Sequence, residues 1–110
     1  MKKEVLDFHA EFCKTFSNSR RLEIIYLLKA GEQSAGEITR KLGIPKANTS
    51  QHLARMRRMK ILETRRKGVN IYYRIANRKI TQACSLMQDA LEQLIEGSPV
   101  VNKESLTSHS

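Results

Sequence analysis

The short stretch around Gly43 and Pro45 constrains the fold of this chain more than any other feature. Ser34 and Glu37 have the spacing of a capping box, in which a hydroxyl and a carboxylate satisfy the free backbone amides at a helix start. Gly43 can take the left-handed conformation that closes this helix, and Pro45 is well tolerated at the start of the next one. The sequence therefore predicts a short helix, a tight turn and a second helix that extends to about residue 60.

After this second helix the periodicity changes to that of strands. Residues 62–66 and 70–75 are short segments that contain β-branched and aromatic residues, and Lys67-Gly68 joins them. Two strands that meet at a glycine-containing turn predict a hairpin. A helix–turn–helix followed directly by a hairpin is the arrangement of a winged helix.

Apolar residues that recur every three or four positions predict three further helices. The first covers about residues 4–16, the second about 20–30, and the last begins near Asn77. Residues 97–110 show no periodicity and are expected to form a flexible tail, which leaves residues 1–96 as one domain. The predicted fold is mainly α with a small β-hairpin, a winged helix-turn-helix in the order α-α-α-α-β-β-α.

Positive charge is concentrated in one contiguous block of the chain. Between Arg40 and Lys79 there are thirteen lysines or arginines and one acid, Glu63, whereas the other seventy residues hold seven bases and ten acids. The block therefore carries +12 and the remainder −3. Such a block fits a polyanionic partner, because lysines and arginines that neutralise phosphates release counterions. A membrane is disfavoured, since the basic segment offers no broad apolar face to insert.

The predicted helix at about residues 46–60 has two distinct faces. At about 100° per residue, Thr49, Leu53 and Met56 share one face, which is expected to pack on the core. The opposite face is small or polar at first and cationic later, and no acid lies between Lys46 and Lys60. An ordinary solvated helix would more typically interleave acids with bases. The pattern predicts a recognition helix that enters the major groove of DNA with its N-terminal end first.

Each polar residue type on this face suits a known form of DNA contact. The amides of Asn48 and Gln51 can bond to adenine edges, and Arg55 can reach guanine or phosphate. The helix N-terminus favours a phosphate as well. The predicted contacts from this helix are Lys46, Ala47, Asn48, Ser50, Gln51, His52, Arg55 and Arg58.

The predicted hairpin, residues 62–75, adds a basic wing that would grip the DNA backbone or the adjacent minor groove. Its predicted contacts are Arg65, Arg66, Lys67 and Arg74. Tyr72 and Tyr73 alternate along one strand, so one is expected in the core while the other leans towards phosphate.

Three segments of the chain resemble the ArsR/SmtB family of winged-helix repressors in order and spacing. They are FSNSRRLEIIYLL, GEITRKLGIPKANTSQHLARMRRMKIL and RRKGVNIYYRI, within about residues 8–96. The most specific parts are Ser50-x-His52-Leu53 and Arg66-x-Gly68-x(3)-Tyr72-Tyr73-Arg74. The resemblance implies a homodimer that binds a palindromic operator on double-stranded DNA and represses a small operon until an inducer binds.

The last predicted helix gives an independent reason to expect a dimer. It carries a long apolar stripe, and a chain of this size has little core to cover it. The alternative is that the stripe packs wholly within one chain. The residues of the stripe are Ile80, Cys84, Met87, Leu91 and Leu94.

The sensor sites of the family are absent from this sequence. Ser34 and Gly36 stand where metal-sensing relatives have a C-x-C pair, and residues 77–96 contain no histidine for a zinc site. In thiol-based sensors of the family the first cysteine lies where this chain has Tyr26.

Three residues remain as candidates for a sensor: His9, Cys13 and Cys84. Cys13 lies one turn after His9, a spacing that could direct both towards one ion, and the resemblance puts Cys84 near the first helix. Two thiols brought together could bind a thiophilic metal or metalloid, or undergo thiol oxidation or persulfide formation. The plainer alternative is that both cysteines are small core residues with no sensing role.

What the sequence lacks disfavours several other classes of protein. There is no recognisable Ser/His/Asp set, pair of catalytic carboxylates or glycine-rich phosphate loop, so an enzyme is not expected. With two cysteines, no signal peptide and no apolar run long enough for a bilayer, a cytoplasmic protein is expected. The competing function is a winged helix that docks on an acidic protein, but a docking helix would expose apolar anchors.

Overall fold

A computed structural model describes residues 1–97 of the chain. The sequence-predicted tail, residues 97–110, lies outside these residues except for Gly97, which ends the last helix. The elements in chain order are α1 Lys3–Thr15, α2 Ser19–Lys29, β1 Gln33–Ser34, α3 Ala35–Leu42, α4 Lys46–Arg58, β2 Leu62–Lys67, β3 Asn70–Ile75 and α5 Arg78–Gly97. The predicted order of helices and hairpin is confirmed.

The capping box that defines the start of α3 forms as predicted. The Glu37 backbone N–H donates to Ser34 Oγ at 3.2 Å, and the Ser34 backbone N–H donates to Glu37 Oε1 at 3.0 Å. Gly43 closes α3 in the left-handed conformation, with φ 66°, and α4 begins directly after Pro45. Because these signals are local, they fix both ends of the turn that orients α4.

A third strand, which the hairpin pattern does not predict, joins the sheet. β1 pairs antiparallel with β3, so the strand order is β1-β3-β2, with Gln33 opposite Tyr73 and Ser34 opposite Tyr72. Gln33 is buried, and its Nε2 donates to the carbonyl oxygen of Leu27 at 3.3 Å. A two-residue strand has no periodicity to detect. Its pairing ties the start of α3 to the wing.

The core joins the three central helices to the base of the hairpin. Each fully buried aliphatic side chain contributes roughly 1.5–3 kcal/mol relative to exposure. On α4 the buried residues are Thr49, Leu53 and Met56, as the helical wheel predicts, so the opposite face is left to solvent. The buried apolar residues are Ile24, Ile25, Leu28, Ile38, Leu53, Met56, Ile61 and Leu62.

The two outer helices leave an apolar surface uncovered within one chain. Ile80 and Cys84 pack against the core, but no residue of α5 is buried, and Leu86 is 70% exposed. On α1, Phe12 packs against the core whereas Phe8 is 54% exposed. The other exposed apolar residues of these helices include Val5, Leu6, Met87, Leu91 and Leu94. Within residues 1–97, no helix combines the length and hydrophobicity that crossing a membrane requires.

Candidate nucleic-acid interface

The outward face of α4 is polar and cationic along its whole length. Its exposed residues are Lys46, Ala47, Asn48, Ser50, Gln51, Ala54, Arg57 and Arg58. Within residues 1–97, no side chain of α4 forms an ion pair, and the helix contains no acid. The face is therefore unneutralised, and its small residues allow another surface to come close to the backbone of the helix.

His52 and Arg55 differ from the other predicted contacts because both are half-buried on the side of α4 that faces α2. Burial lowers the pKa of His52, and the nearby cations Arg21 and Arg20 lower it further. Burial likewise lowers the pKa of Arg21, and Arg55 adds to this effect. The two helices thus bring cations together at this edge of the interface.

Arg21 holds the turn between α1 and α2 beside α4. Its Nε donates to the carbonyl oxygen of Thr15 at 2.6 Å, near the end of α1. Arg20 makes an ion pair with Glu23 at 3.1 Å. Sequence reasoning missed both arginines because they lie outside the basic block. The signal that could have found them is their position as adjacent cations at the start of a helix.

Two of the four predicted wing cations are paired with acids. Arg65 on β2 bonds to Glu32 through Nε at 3.1 Å and through Nη2, and its guanidinium lies 5.7 Å from the ring centroid of Tyr72. Arg74 on β3 donates through Nε to Glu63 Oε1 at 2.7 Å. One face of the wing is therefore internally neutralised.

The other two predicted wing cations, Arg66 and Lys67, are exposed at the tip, and no ion pair involves them in the part of the chain that the structure describes. Gly68, with φ 64°, lets the chain reverse in two residues between Lys67 and Asn70. Of the two tyrosines, Tyr73 packs against the core, as predicted for one of them. The free positive charge of the wing is thus concentrated at its turn.

A cleft of about 480 Å³ lies between the C-terminal half of α4 and β3. Two of its cations, Arg57 and Lys60, were not among the sequence-predicted contacts. The sequence prediction did not assign Arg57 to either face of the helix, and Lys60 follows the end of the helix. The lining residues are Ala35, Ser50, Leu53, Ala54, Arg57, Arg58, Lys60 and Tyr73.

The three candidate sensor residues meet at a second cavity, of about 550 Å³, between α1, α2 and α5. His9, Cys13 and Cys84 all line it, together with Tyr26, and both thiols are free. Burial raises the pKa of the Cys84 thiol, while Lys29 acts in the opposite direction. Within residues 1–97, no three or more His, Cys, Asp or Glu side chains are grouped so that they could hold a metal ion.

Comparison with known proteins places the chain in a family. Residues 18–64 match the bacterial regulatory protein arsR family. The transcriptional repressor PagR of Bacillus anthracis is 36% identical over 83 residues, which are 74% of this chain and 83% of PagR. The HTH-type transcriptional regulator KmtR of Mycobacterium tuberculosis is 32% identical over 72 residues, and that match covers 66% of this chain but 55% of KmtR.

A solved structure agrees with the fold over most of the chain. The homodimeric winged helix-turn-helix DNA-binding domain of Mb0332 from Mycobacterium bovis gives a TM-score of 0.81 at 30% sequence identity, over 87% of this chain and 89% of that one. The chain therefore belongs to the arsR family of bacterial regulatory proteins and is a transcriptional regulator with a winged helix-turn-helix fold.

Proposed function

We propose that this regulator is a sequence-specific DNA-binding repressor that inserts α4 into the major groove of its operator. The single observation that carries this proposal is the outward face of α4, which is exposed and acid-free and forms no ion pair with any other residue of 1–97. Asn48 and Gln51 near its N-terminal end would read base edges, and Arg55 would contact guanine or phosphate. The face exposes no large apolar anchor, which argues against docking on a protein surface.

The wing would add affinity that does not depend on sequence. Arg66 and Lys67 at the tip are free to contact the DNA backbone, whereas Arg65 and Arg74 must first leave Glu32 and Glu63. The contribution of the wing is therefore expected to come mainly from its turn.

The repressor would act as a homodimer formed through α1 and α5. The exposed apolar side chains of these two helices, such as Phe8 and Leu86, need a partner surface, and the similar domain of Mb0332 is homodimeric. A two-fold dimer presents two copies of α4, which fits a palindromic operator.

An inducer would act through Cys13 and Cys84, which line one cavity beside the proposed dimer interface. A thiophilic metal or metalloid could bind the two thiolates. Alternatively, an oxidant could take two electrons and two protons from the thiols to form a disulfide, or a persulfide donor could modify one of them. Cys13→Ser and Cys84→Ser should each abolish the response to a metal or to an oxidant, because both routes need two thiols. The response to a persulfide donor should be lost only in the variant that lacks the modified thiol. Both variants should bind DNA as the wild type does, and a response that survives in both would rule out this route.

The function is tested by binding to a duplex that contains the promoter of the adjacent gene and to a scrambled duplex across a salt series. A specific repressor keeps a large preference for the promoter at physiological salt. Equal, steeply salt-dependent binding to both duplexes would contradict specific repression, and no binding to either would favour a protein partner.

Substitutions on α4 and on the wing separate base reading from backbone contact. Gln51→Ala and Arg55→Ala should weaken promoter binding more than scrambled binding, whereas Arg66→Ala should weaken both about equally. If the two α4 variants keep the full preference for the promoter, α4 does not read the bases as proposed.

A further inference from the structure

Lys60 is held in a backbone conformation that its residue type disfavours. Its φ is 65°, the one positive φ of a non-glycine residue within residues 1–97. In this left-handed region the Cβ of an L-residue is crowded by the following carbonyl oxygen, which is why glycine is the usual occupant. Lysine at this position therefore makes the fold less stable than glycine would. Stability does not explain why a lysine is found there.

The strained conformation belongs to the motif that closes α4. The Ile61 backbone N–H donates to the Met56 carbonyl oxygen at 2.9 Å, and the Lys60 backbone N–H donates to the Arg57 carbonyl oxygen at 3.0 Å. This pair of bonds is the Schellman motif, and the buried side chains of Met56 and Ile61 supply its usual apolar contact. The backbone of Lys60 is thus fixed by its neighbours, whereas its side chain has no part in the motif.

Lys60 lines the cleft between α4 and β3 together with Arg57 and Arg58. No acid lines this cleft, and in the described part of the chain none of the three cations forms an ion pair. Arg65 and Arg74 differ from these three cations, because each of them forms an ion pair with a glutamate. Three unpaired cations on one cleft create a strong local attraction for an anion.

The cleft is continuous with the outward face of α4. Ser50 and Ala54 also line it. Ala54 follows Ser50 by four residues and Arg57 follows Ala54 by three, so the three residues lie along one side of the helix. Because Ala54 is small, a DNA strand that passes along this side can approach the cleft.

We propose that Arg57, Arg58 and Lys60 form a binding site for a backbone phosphodiester of the bound DNA, and that lysine rather than glycine ends α4 because its ammonium group completes this site. The proposal rests on the DNA-binding function proposed above and adds a contact at the end of α4, opposite its base-reading N-terminal half. Charged donors on phosphate oxygens position the duplex without reading its sequence. The strain at Lys60 is the cost of placing a cation at that point.

The test compares Lys60→Gly with Lys60→Arg in the full-length chain. Lys60→Gly removes both the strain and the charge. The relief of strain is partly offset by the greater entropy that glycine gives the unfolded chain, so the thermal midpoint should rise by roughly 2 to 6 °C. Its affinity for promoter and scrambled duplexes should fall by the same factor, about threefold to tenfold at physiological salt, and the slope of log affinity against log salt should decrease by about 0.9. Lys60→Arg keeps the charge and the strain, so its affinity and its thermal midpoint should stay close to those of the wild type.

Several outcomes would overturn the proposal. If Lys60→Gly kept the affinity and the salt slope of the wild type, the ammonium group of Lys60 would not contact phosphate. If its thermal midpoint were lower than that of the wild type, the backbone of Lys60 would not be strained. An equal loss of affinity in Lys60→Arg would show that charge is not the cause. Failure of the wild type to bind any duplex would instead refute the DNA-binding function itself, so the two failures are distinguishable.

Discussion

Arg65 on β2 reaches across β3 to the carboxylate of Glu32, the residue before β1, and its guanidinium lies 5.7 Å from the ring centroid of Tyr72. The hydrogen bond from Arg65 holds the pKa of Glu32 below its usual value. This ion pair links the two edges of the three-stranded sheet. It also engages Arg65, which the sequence predicts to contact DNA.

Glu32→Gln should strengthen binding to DNA of any sequence. The substitution releases Arg65 from its carboxylate partner and removes one negative charge near the wing, so affinity for promoter and scrambled duplexes should rise roughly twofold to fivefold at low salt. Glu96→Gln, at the far end of α5, removes the same charge without releasing an arginine. An equal gain in this control would show that net charge, and not the freed Arg65, causes the effect.

His52 should make the stability of the fold depend on pH. Burial, Arg21 and Arg20 lower its pKa in the folded chain, whereas in the unfolded chain it titrates near its ordinary value of about 6.5. As pH falls below that value, the unfolded state takes up the proton first, so stability is lost until the lower folded pKa is reached. Thermal melts of the wild type should therefore shift down between pH 7.5 and pH 5.5 more than those of His52→Gln.

An NMR titration of the His52 ring checks the cause of this pH dependence directly. Its midpoint should lie below that of a free histidine, and it should move upward in Arg20→Gln, which removes one of the nearby cations. A midpoint at or above the ordinary value would contradict both the burial and the charge environment.

Thr49→Val should stabilise the fold and leave DNA binding unchanged. Thr49 is fully buried on the inner face of α4, and its Oγ1 has no hydrogen-bond partner among residues 1–97. Valine has the same shape without a hydroxyl to desolvate, so a gain of about 1 kcal/mol in the free energy of unfolding is expected. Urea unfolding measures the gain. A loss of DNA affinity at unchanged stability would mean that Thr49 faces the DNA rather than the core.

Ser34→Ala should destabilise the fold by about 1 kcal/mol, because it removes the acceptor for the Glu37 backbone N–H in the capping box of α3. Urea unfolding at neutral pH measures the loss. Ser17→Ala serves as the control, since Ser17 is exposed and its hydroxyl donates to the carbonyl oxygen of Lys14 at 2.7 Å. Equal losses in the two variants would show that the capping box adds nothing beyond an ordinary surface hydrogen bond.

The sequence by itself determined the helix–turn–helix, the hairpin and the exposed face of α4. Each of these depends on signals between residues a few positions apart, such as Ser34 with Glu37, Gly43 with Pro45, and the spacing of Leu53 and Met56. Such signals act through local backbone geometry and periodic burial, so they can be recognised without knowledge of the rest of the chain.

The tertiary structure alone decided which of the charged and reactive side chains are available. The pairing of Glu32 with Arg65, the single cavity that Cys13 and Cys84 share, and the position of Lys60 on a cationic cleft all join residues from different elements. The composition of the chain does not distinguish a charged or reactive side chain that is paired or buried from one that is exposed. Their partners are set by how strands and helices pack, because charge pairing and burial depend on distance in space rather than along the sequence.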